Sequence, residues 1–284
     1  MHLRLMTKLD VPAGLRLNER AGWNQTGADW SRFLDASPTG CFVAEEDAQV
    51  CGTATTIAYE KRFAWIGMVL VDPAHQKRGI GTQLLQRSIE YLDQQELPTM
   101  KLDATPQGQP LYAKLGFVPE YEIERWMLKR PPNVTGRPPH FSAPALEDAQ
   151  LELIFKRDRE IFGADRSFLL RSLRDSSPNL AIASWRHNDL QGYAFGRNGL
   201  FADHLGPWVA SSQAAAEYLL QEFLARSSRE TLIADCRSAN RMAMELLRSH
   251  GFTHSRRLMR MFRGANAQPG NTDPVCAIAG PEFG

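Results

Sequence analysis

The chain has 284 residues, enough for two domains of ordinary size, and its hydrophobic (43%) and charged (23%) fractions are typical of globular proteins. A formal net charge of +1 argues against a nucleic-acid partner or an anionic membrane surface, and no apolar run is long enough to span a bilayer. The four cysteines lack CxxC spacing, so we expect reduced thiols, a cytoplasmic location and no metal site.

The first half of the chain mixes strand and helix patterns. Two short helices are predicted first, at 15–19 and 28–35. Apolar or alternating runs predict the strands that follow, and apolar residues three and four apart predict the helices between them. The strands are expected at 41–44, 50–58, 64–71, 99–104 and 123–128, and the helices at 82–93 and 110–115.

A proline-rich stretch divides the chain. Residues 129–145 contain five prolines and a glycine, a density that neither a helix nor a central strand tolerates. We therefore predict a linker at 131–145 between a first domain, 1–130, and a second, 146–264. The last residues, 265–284, are rich in Gly, Pro and Ala, and two alternatives stay open for them: a disordered tail or a strand packed onto the body.

The second half repeats the element order of the first. Strands are predicted at 180–184, 190–196, 203–209, 231–236 and 257–262, and helices at 212–224 and 240–249. Leu115-Gly116-Phe117 and His250-Gly251-Phe252 hold matching places, where a glycine ends a helix and an aromatic residue opens the last strand. This order predicts an α/β fold in each half, a mixed, mostly antiparallel sheet flanked by helices.

A glycine-containing turn joins the strand at 64–71 to the helix at 82–93. It reads Gln76-Lys77-Arg78-Gly79-Ile80-Gly81-Thr82. Glycines let the backbone approach a ligand closely, and successive N–H groups converge at a helix N-terminus, where the helix dipole favours an anion. The turn is a candidate pyrophosphate site, although it matches neither the dinucleotide fingerprint nor a Walker A motif.

The segment Gln76-Lys77-Arg78-Gly79-Ile80-Gly81 resembles the Q/R-x-x-G-x-G/A acyl-CoA signature of the GNAT superfamily of N-acetyltransferases. The resemblance extends to the element order of both halves and implies a tandem of two GNAT-like domains with acetyl-CoA as co-substrate. It places the pantetheine arm beside the strand at 64–71 and the pyrophosphate on the amides of the turn, with Lys77 or Arg78 screening its charge. The implied cofactor-binding residues are Val69, Leu70, Val71, Gln76, Lys77, Arg78, Gly79, Ile80, Gly81 and Thr82.

Tyr112 is the candidate general acid. It stands in Leu111-Tyr112-Ala113-Lys114-Leu115-Gly116-Phe117, which is similar to an L-Y-x-x-L-G-F segment whose tyrosine hydroxyl lies near the CoA sulfur in GNAT enzymes. A phenol with an ordinary pKa of about 10 stays protonated at working pH and can protonate a departing thiolate. The alternative is a tyrosine at the edge of the core.

The general base is less well defined. Many GNAT relatives carry a glutamate on the strand that here reads Ala64-Trp65-Ile66-Gly67-Met68, which holds no acid. Asp103, near the end of a strand, is the catalytic candidate, with Glu60 and a water chain as alternatives. Asp103 either orients the amine or caps the turn that follows it.

The resemblance places the acceptor near the loop between the two short N-terminal helices. Trp23 and Asn24 are the candidate substrate-binding residues of this loop, together with Met68 on the strand. The competing interpretation is a hydrophobic staple, in which Asn24 or Thr26 caps the following helix.

The second half lacks the chemistry of the first. After its third strand it reads Ala210-Ser211-Ser212-Gln213, with no glycine pair or basic run, and Leu247 stands where the first half has Tyr112. We interpret the second domain as degenerate and without acyl-CoA binding. The expected function is acetyl transfer from acetyl-CoA to a primary amine, by direct attack on the thioester, with a small metabolite as acceptor. The alternatives are an acyl-CoA sensor without turnover and a purely structural module. We expect the chain to be a monomer or a homodimer.

Overall fold

A computed structural model describes residues 1–131 and 146–284, so the predicted linker lies, apart from Pro131, outside the described residues. Contacts divide the chain into two compact units. The first unit comprises residues 1–120, 260–268 and 282–284, and the second unit comprises residues 121–259 and 269–281. Within the described ranges no helix is long and apolar enough to cross a membrane.

The first unit contains a mixed sheet flanked by helices. Its strands are β1 (His2–Leu5), β2 (Phe42–Glu46), β3 (Gln49–Tyr59), β4 (Phe63–Val71), β5 (Thr99–Ala104) and part of β11 (Thr253–Gly264), and its helices are α1 (Val11–Ala21), α2 (Gly27–Ala36), α3 (Ile80–Gln94) and α4 (Gln109–Lys114). The strand order is β1-β2-β3-β4-β5, followed by residues 260–264 of β11. The strands from β1 to β4 pair antiparallel in succession, whereas β4 and β5 pair in parallel, with Ala64 opposite Met100 and Trp65 opposite Lys101.

Local sequence explains the turn between α1 and α2. Gly22 ends α1 with a left-handed φ of +66°, a conformation that glycine adopts without strain. Thr26 begins α2 with a capping box, in which its backbone N–H and its hydroxyl both donate to Asp29, at 2.7 and 3.0 Å.

The second unit repeats this architecture. Its strands are residues 121–129 of β6 (Val118–Lys129), β7 (Ala181–Arg186), β8 (Asp189–Asn198), β9 (Asp203–Ala210), β10 (Thr231–Arg237), β12 (Val275–Ala277) and the rest of β11, and its helices are α5 (Asp148–Phe162), α6 (Ser167–Ser176), α7 (Gln213–Arg226) and α8 (Arg241–Ser249). The strand order is β11-β6-β10-β12-β9-β8-β7, with an additional parallel pairing of β9 and β10. The core includes Trp208, Leu219 and Phe223, all fully buried.

The predicted fold class is confirmed, a mixed α/β architecture in both units. The predicted elements occur within a few residues of their expected bounds, whereas β1, α5 and α6 were not predicted and β12 was one of two alternatives for its segment. The units also cross the predicted boundary at residue 130, because residues 121–129 of β6 belong to the second unit and residues 260–264 of β11 to the first.

Of the two alternatives for residues 265–284, the structure has the packed one. Val275–Ala277 forms β12 in the second unit, and residues 282–284 are buried in the first unit. Phe283 is fully buried. We call residues 282–284 the terminal segment.

Candidate active site

The sheet of the first unit opens between β4 and β5. Their pairing includes Trp65 and Lys101 but no residue further along either strand, although β4 runs on to Val71 and β5 to Ala104. We call the opening between residues 66–71 and 102–104 the first cleft. A bulge in β4 begins this opening, because Met68 and Val69 together oppose a single residue of β3.

Met68 lies at the bulge with a left-handed φ of +51° and a buried side chain. Its carbonyl oxygen accepts a hydrogen bond of 2.8 Å from the hydroxyl of Thr53, which fixes the kinked backbone. Val69 and Val71 pack their side chains on the cluster of Phe42, Ile80 and Leu84. The β4 backbone at 69–71 thus lies along the first cleft, as the acyl-CoA interpretation requires.

The glycine turn lies at the same edge of the sheet as the ends of β4 and β5. Gly79 is the N-cap of α3 with a left-handed φ of +80°, and the helix begins at Ile80. The first four N–H groups of a helix lack intrahelical partners and attract anions. A Cβ at Gly79 would meet only the Gln83 amide nitrogen, at 4.0 Å, so the space beside the turn is open. The turn therefore fits the pyrophosphate of an acyl-CoA.

The two basic side chains of the turn differ in their surroundings. Both Lys77 and Arg78 are exposed. The Arg78 guanidinium forms a two-pronged pair with Glu46 of β2, at 2.7 and 2.9 Å, which raises the pKa of Arg78 through these hydrogen bonds. Glu46 therefore competes with a phosphate for Arg78, and Lys77 is the better candidate for screening the pyrophosphate.

Tyr112 lies on α4, which follows β5 as α3 follows β4. Because the carboxyl ends of parallel strands meet at one edge of a sheet, both helices begin beside the first cleft. The ring packs edge-on against Phe117, with 6.3 Å between centroids. Burial raises the pKa of Tyr112 to about 12, so the phenol keeps its proton over the whole working range.

Asp103 is engaged by an arginine. Its two carboxylate oxygens accept hydrogen bonds from Arg260, both at 2.9 Å, and the Asp103 side chain is fully buried. The Arg260 guanidinium also lies over the Trp65 ring, 4.4 Å from its centroid. A carboxylate held in this way is poorly placed to take a proton from an amine, and the geometry favours a positioning role.

The acceptor-loop candidates fall at the start of α2. Trp23 is half-buried and its backbone N–H donates to Asn18 at 2.9 Å, while Asn24 is buried. Thr26, not Asn24, caps α2. The structure thus contains the cap of the competing interpretation, and it leaves part of the Trp23 surface exposed.

The terminal segment was absent from the predicted site. Glu282 packs on Gly67 of β4: a Cβ at position 67 would lie 2.9 Å from the Glu282 carbonyl oxygen and 3.4 Å from the Glu282 Cβ. The apolar Phe283 was the only signal in the sequence that these residues could dock. No pattern in the sequence indicated that residues 282–284 would pack against Gly67.

The second unit has a corresponding opening, and β12 fills it. β9 and β10 pair in parallel at Asp203–Leu205 and Leu232–Ala234 and then part. We call the opening between residues 206–210 and 235–237 the second cleft. Val275 and Ala277 of β12 pair with Val209 and Trp208, and Ala277 also pairs with Cys236. The Ile278 N–H donates to the Asp235 carbonyl oxygen at 2.9 Å, so the chain continues to occupy the second cleft beyond β12.

All four cysteines are buried free thiols. Across residues 1–131 and 146–284, no group of three or more His, Cys, Asp or Glu side chains is arranged to hold a metal ion.

Comparisons with known proteins agree with the fold. A curated relative, the holothin acyltransferase of a Pseudoalteromonas strain, is 23% identical over 92% of this chain and 87% of its own. The mycothiol acetyltransferase of Acidimicrobium ferrooxidans is 29% identical over 43% of this chain and 44% of its own. A putative acetyltransferase from Pyrococcus horikoshii has the same fold, with a TM-score of 0.80 at 24% identity over 100% of this chain and 95% of that chain.

Two family models match the chain in succession. The acetyltransferase (GNAT) family model matches residues 13–117, and the acetyltransferase (GNAT) domain model matches residues 154–276. These ranges cover the central elements of both halves, including both clefts and the glycine turn. The chain therefore belongs to the GNAT acetyltransferases and carries two GNAT domains in tandem.

Proposed function

We propose that the first unit transfers the acetyl group of acetyl-CoA to a primary amine of a small molecule. The observation that carries this proposal is the first cleft, which opens beside an anion-binding turn and a protonated tyrosine at one edge of the sheet. Acetyl-CoA supplies an activated acyl group as its thioester. Residues of this chain supply the binding, the orientation and the proton transfer.

The residues of the first unit have two roles: some bind the co-substrate and one transfers a proton. The backbone of Val69 and Val71 pairs with the amide groups of the pantetheine arm. The backbone N–H groups from Gln76 to Thr82 bind the pyrophosphate. Tyr112 donates its proton to the departing thiolate sulfur. The amine attacks the thioester carbonyl directly, without an acyl-enzyme.

We further propose that the second unit binds no acyl-CoA. Its cleft holds β12, and its turn at Ala210-Ser211-Ser212 has no glycine to bring the backbone close to a pyrophosphate. Leu247 occupies the place of Tyr112 and is fully buried. The second unit thus acts as a scaffold.

The net charge of the chain supports a small acceptor. A net charge of +1 gives no strong attraction to polyanions or to highly basic polymers, which favours a small amine. Two of the relatives named above, a holothin acyltransferase and a mycothiol acetyltransferase, are named for acyl transfer, which supports the reaction class.

Replacing Tyr112 by Phe tests the enzymatic proposal. We expect Tyr112→Phe to lower kcat about 100-fold or more, because the thiolate loses its proton donor, and to leave the Kd for acetyl-CoA unchanged. Release of CoA thiol is followed with benzylamine, hexylamine, glucosamine and spermidine as acceptors. Tyr91→Phe, at a tyrosine whose hydroxyl bonds Thr39 at 3.0 Å, is the control.

With a raised pKa at Tyr112, kcat of the wild-type protein is also expected to show no alkaline decline below about pH 10. Binding of acetyl-CoA without CoA release from any of the amines would instead support an acyl-CoA sensor.

A further inference from the structure

Helix α1 brings its last turn to the end of β4, beside the first cleft. The helix packs on β3, β4 and α2. The Arg20 guanidinium, in that last turn, pairs with Asp72, the residue that follows β4. The buried side of α1 consists of Gly14, Leu17 and Asn18, so Asn18 is the last buried residue of the helix. Its side chain therefore lies between α1 and the elements packed on it, close to where β4 ends.

The loop that follows α1 orients the Asn18 amide. Asn18 Nδ2 donates a hydrogen bond of 3.0 Å to the backbone oxygen of Gln25. The backbone N–H of Trp23 donates to the backbone oxygen of Asn18 at 2.9 Å, which fixes the loop on the helix. Because Nδ2 is used in this way, Oδ1 is the Asn18 atom that remains for another group. The same bond holds Gln25 against Asn18, so both side chains lie in one part of the unit.

Two hydrogen-bond acceptors are buried here without a donor. Asn18 is fully buried, and Gln25 is only 6% exposed. Neither Asn18 Oδ1 nor Gln25 Oε1 has a hydrogen-bond partner among residues 1–131 and 146–284. Buried polar side-chain atoms are nearly always hydrogen-bonded, because an unpaired one costs free energy. Two unpaired oxygens in residues that touch each other indicate a ligand group that brings N–H or O–H donors.

A third unpaired atom lies about one helical turn away from Asn18. The Trp30 indole of α2 packs on Gly14, where a Cβ would lie 2.7 Å from Trp30 Cε2, the carbon bonded to Nε1. Gly14 and Asn18 are four residues apart on the same side of α1. Trp30 is fully buried, and its Nε1 has no hydrogen-bond partner in the described part of the chain. The end of α1 thus offers two acceptors and one donor.

The chemistry of these three atoms limits the class of ligand group. An amide oxygen only accepts hydrogen bonds, and an indole N–H only donates one. A carboxylate or phosphate brings acceptors alone and would repel both oxygens. A hydroxyl brings one donor and leaves one oxygen unpaired. A primary amino group brings two N–H donors and, when neutral, a lone pair for the indole N–H, so it satisfies all three atoms.

We propose that Asn18 and Gln25 bind a second amino group of the acceptor, so that the substrate class of the first unit is a diamine or polyamine. Trp30 donates to the nitrogen of the same group. The inference rests on the proposed function: one amino group of the substrate attacks acetyl-CoA in the first cleft, and the other is bound at the end of α1. Asn18 and Gln25 are therefore specificity-determining residues that take no part in proton transfer.

Paired substrates test this specificity in the full wild-type chain. Putrescine, cadaverine and hexamethylenediamine are each compared with the monoamine of the same length, which is butylamine, pentylamine or hexylamine. Release of CoA thiol is measured for each. We expect kcat/KM of the best diamine to exceed that of its matched monoamine about 10-fold or more, because the second amino group gains two hydrogen bonds. The amino alcohol of the same length is expected to be intermediate, because its hydroxyl has only one donor.

Gln25→Met removes one of the two oxygens and keeps the length of the side chain. We expect KM for the best diamine to rise about 10-fold, while KM for its monoamine and the Kd for acetyl-CoA stay within about twofold. The Tm should not fall, because the variant loses a buried acceptor that has no partner. Gln94→Met, at the exposed end of α3, is the matched control and is expected to keep the wild-type diamine preference.

The outcomes separate this inference from the proposed function. Equal kcat/KM for diamines and monoamines in the wild-type chain overturns the inference, whether or not Gln25→Met folds, and leaves acetyl transfer standing. A folded Gln25→Met protein with a lowered Tm and an unchanged diamine preference also overturns it, and assigns the two oxygens to an internal water molecule. A wild-type chain that releases no CoA thiol with any amine overturns the proposed function instead.

Discussion

At position 67, glycine gives the terminal segment its place against β4. A Cβ there would lie 2.9 Å from the Glu282 carbonyl oxygen, closer than real Cβ atoms approach, and the obstacle is backbone that cannot rotate away. The absence of one methyl group therefore decides whether the segment can dock. The contact leaves no room for a side chain of β4 at position 67.

Gly67→Ala is expected to lower the free energy of unfolding by about 1–3 kcal/mol, because the added methyl group displaces the docked backbone. Urea denaturation measures the change. Gly27→Ala is the matched control, because a Cβ at Gly27 would meet only a Val11 methyl group at 4.0 Å. Equal stability of the two variants would show that the terminal segment is not held against Gly67.

Site residues could be predicted from the sequence where their pattern is local. The glycine turn at 76–82 and Tyr112 lie within short motifs whose spacing carries the chemistry. The pairing of Asp103 with Arg260 joins residues 157 positions apart, and no pattern in either segment signals it. The contact between Glu282 and Gly67 has no signal in the sequence for the same reason, since it depends on where residues 282–284 fold back onto the first unit.

At the scale of elements, the second unit holds a buried polar network across three strands. Arg125 of β6 forms two hydrogen bonds of 2.7 Å with Asp235 of β10. His204 of β9 lies 3.1 Å from the same carboxylate through Nε2, and its Nδ1 lies 2.9 Å from Arg197 of β8. Burial lowers the pKa of His204. Burial also raises the pKa of Asp235, but Arg125 and His204 lower it by more, so its net pKa lies well below the ordinary range.

Both pKa shifts make the stability of the second unit decrease at acidic pH. A histidine whose folded-state pKa is lowered takes up its proton more readily when unfolded, so stability falls as pH drops below the ordinary value of 6.5. The lowered pKa of Asp235 adds a further loss below its ordinary value of 3.8.

His204→Gln is expected to flatten the fall of Tm between about pH 6.5 and 5, because the group that gains a proton on unfolding is gone. Scanning calorimetry over this range measures the slope. His2→Gln, at a side chain that is 63% exposed, is the control and should keep the wild-type slope. Identical slopes in wild type and His204→Gln would contradict the role of His204.

The elements themselves were predictable to different degrees. The strands and helices around both clefts follow clear periodicity, and so does α5, whose buried Leu151, Ile154 and Phe155 have helical spacing. β12 has three residues, too few for a pattern, and it is a strand only because Val209 and Cys236 offer it backbone partners. Its position inside the second cleft therefore had to come from the structure.

At the scale of the whole molecule, the two GNAT domains share a fold but differ at their clefts. In the first unit, β4 and β5 part beside a glycine turn. In the second, β9 and β10 part around β12. The sequence indicated this asymmetry through the missing glycines at 210–213, while the physical obstruction became visible only in the sheet topology.

Calorimetric titration of acetyl-CoA into the full chain tests this asymmetry most directly. We predict one site per chain, abolished by Gly79→Trp, because the bulky side chain fills the space beside the turn and glycine's left-handed φ disfavours any replacement. Ser211→Trp, at the corresponding turn of the second unit, should leave binding intact. Two sites per chain, or loss of binding in Ser211→Trp with retention in Gly79→Trp, would contradict the account.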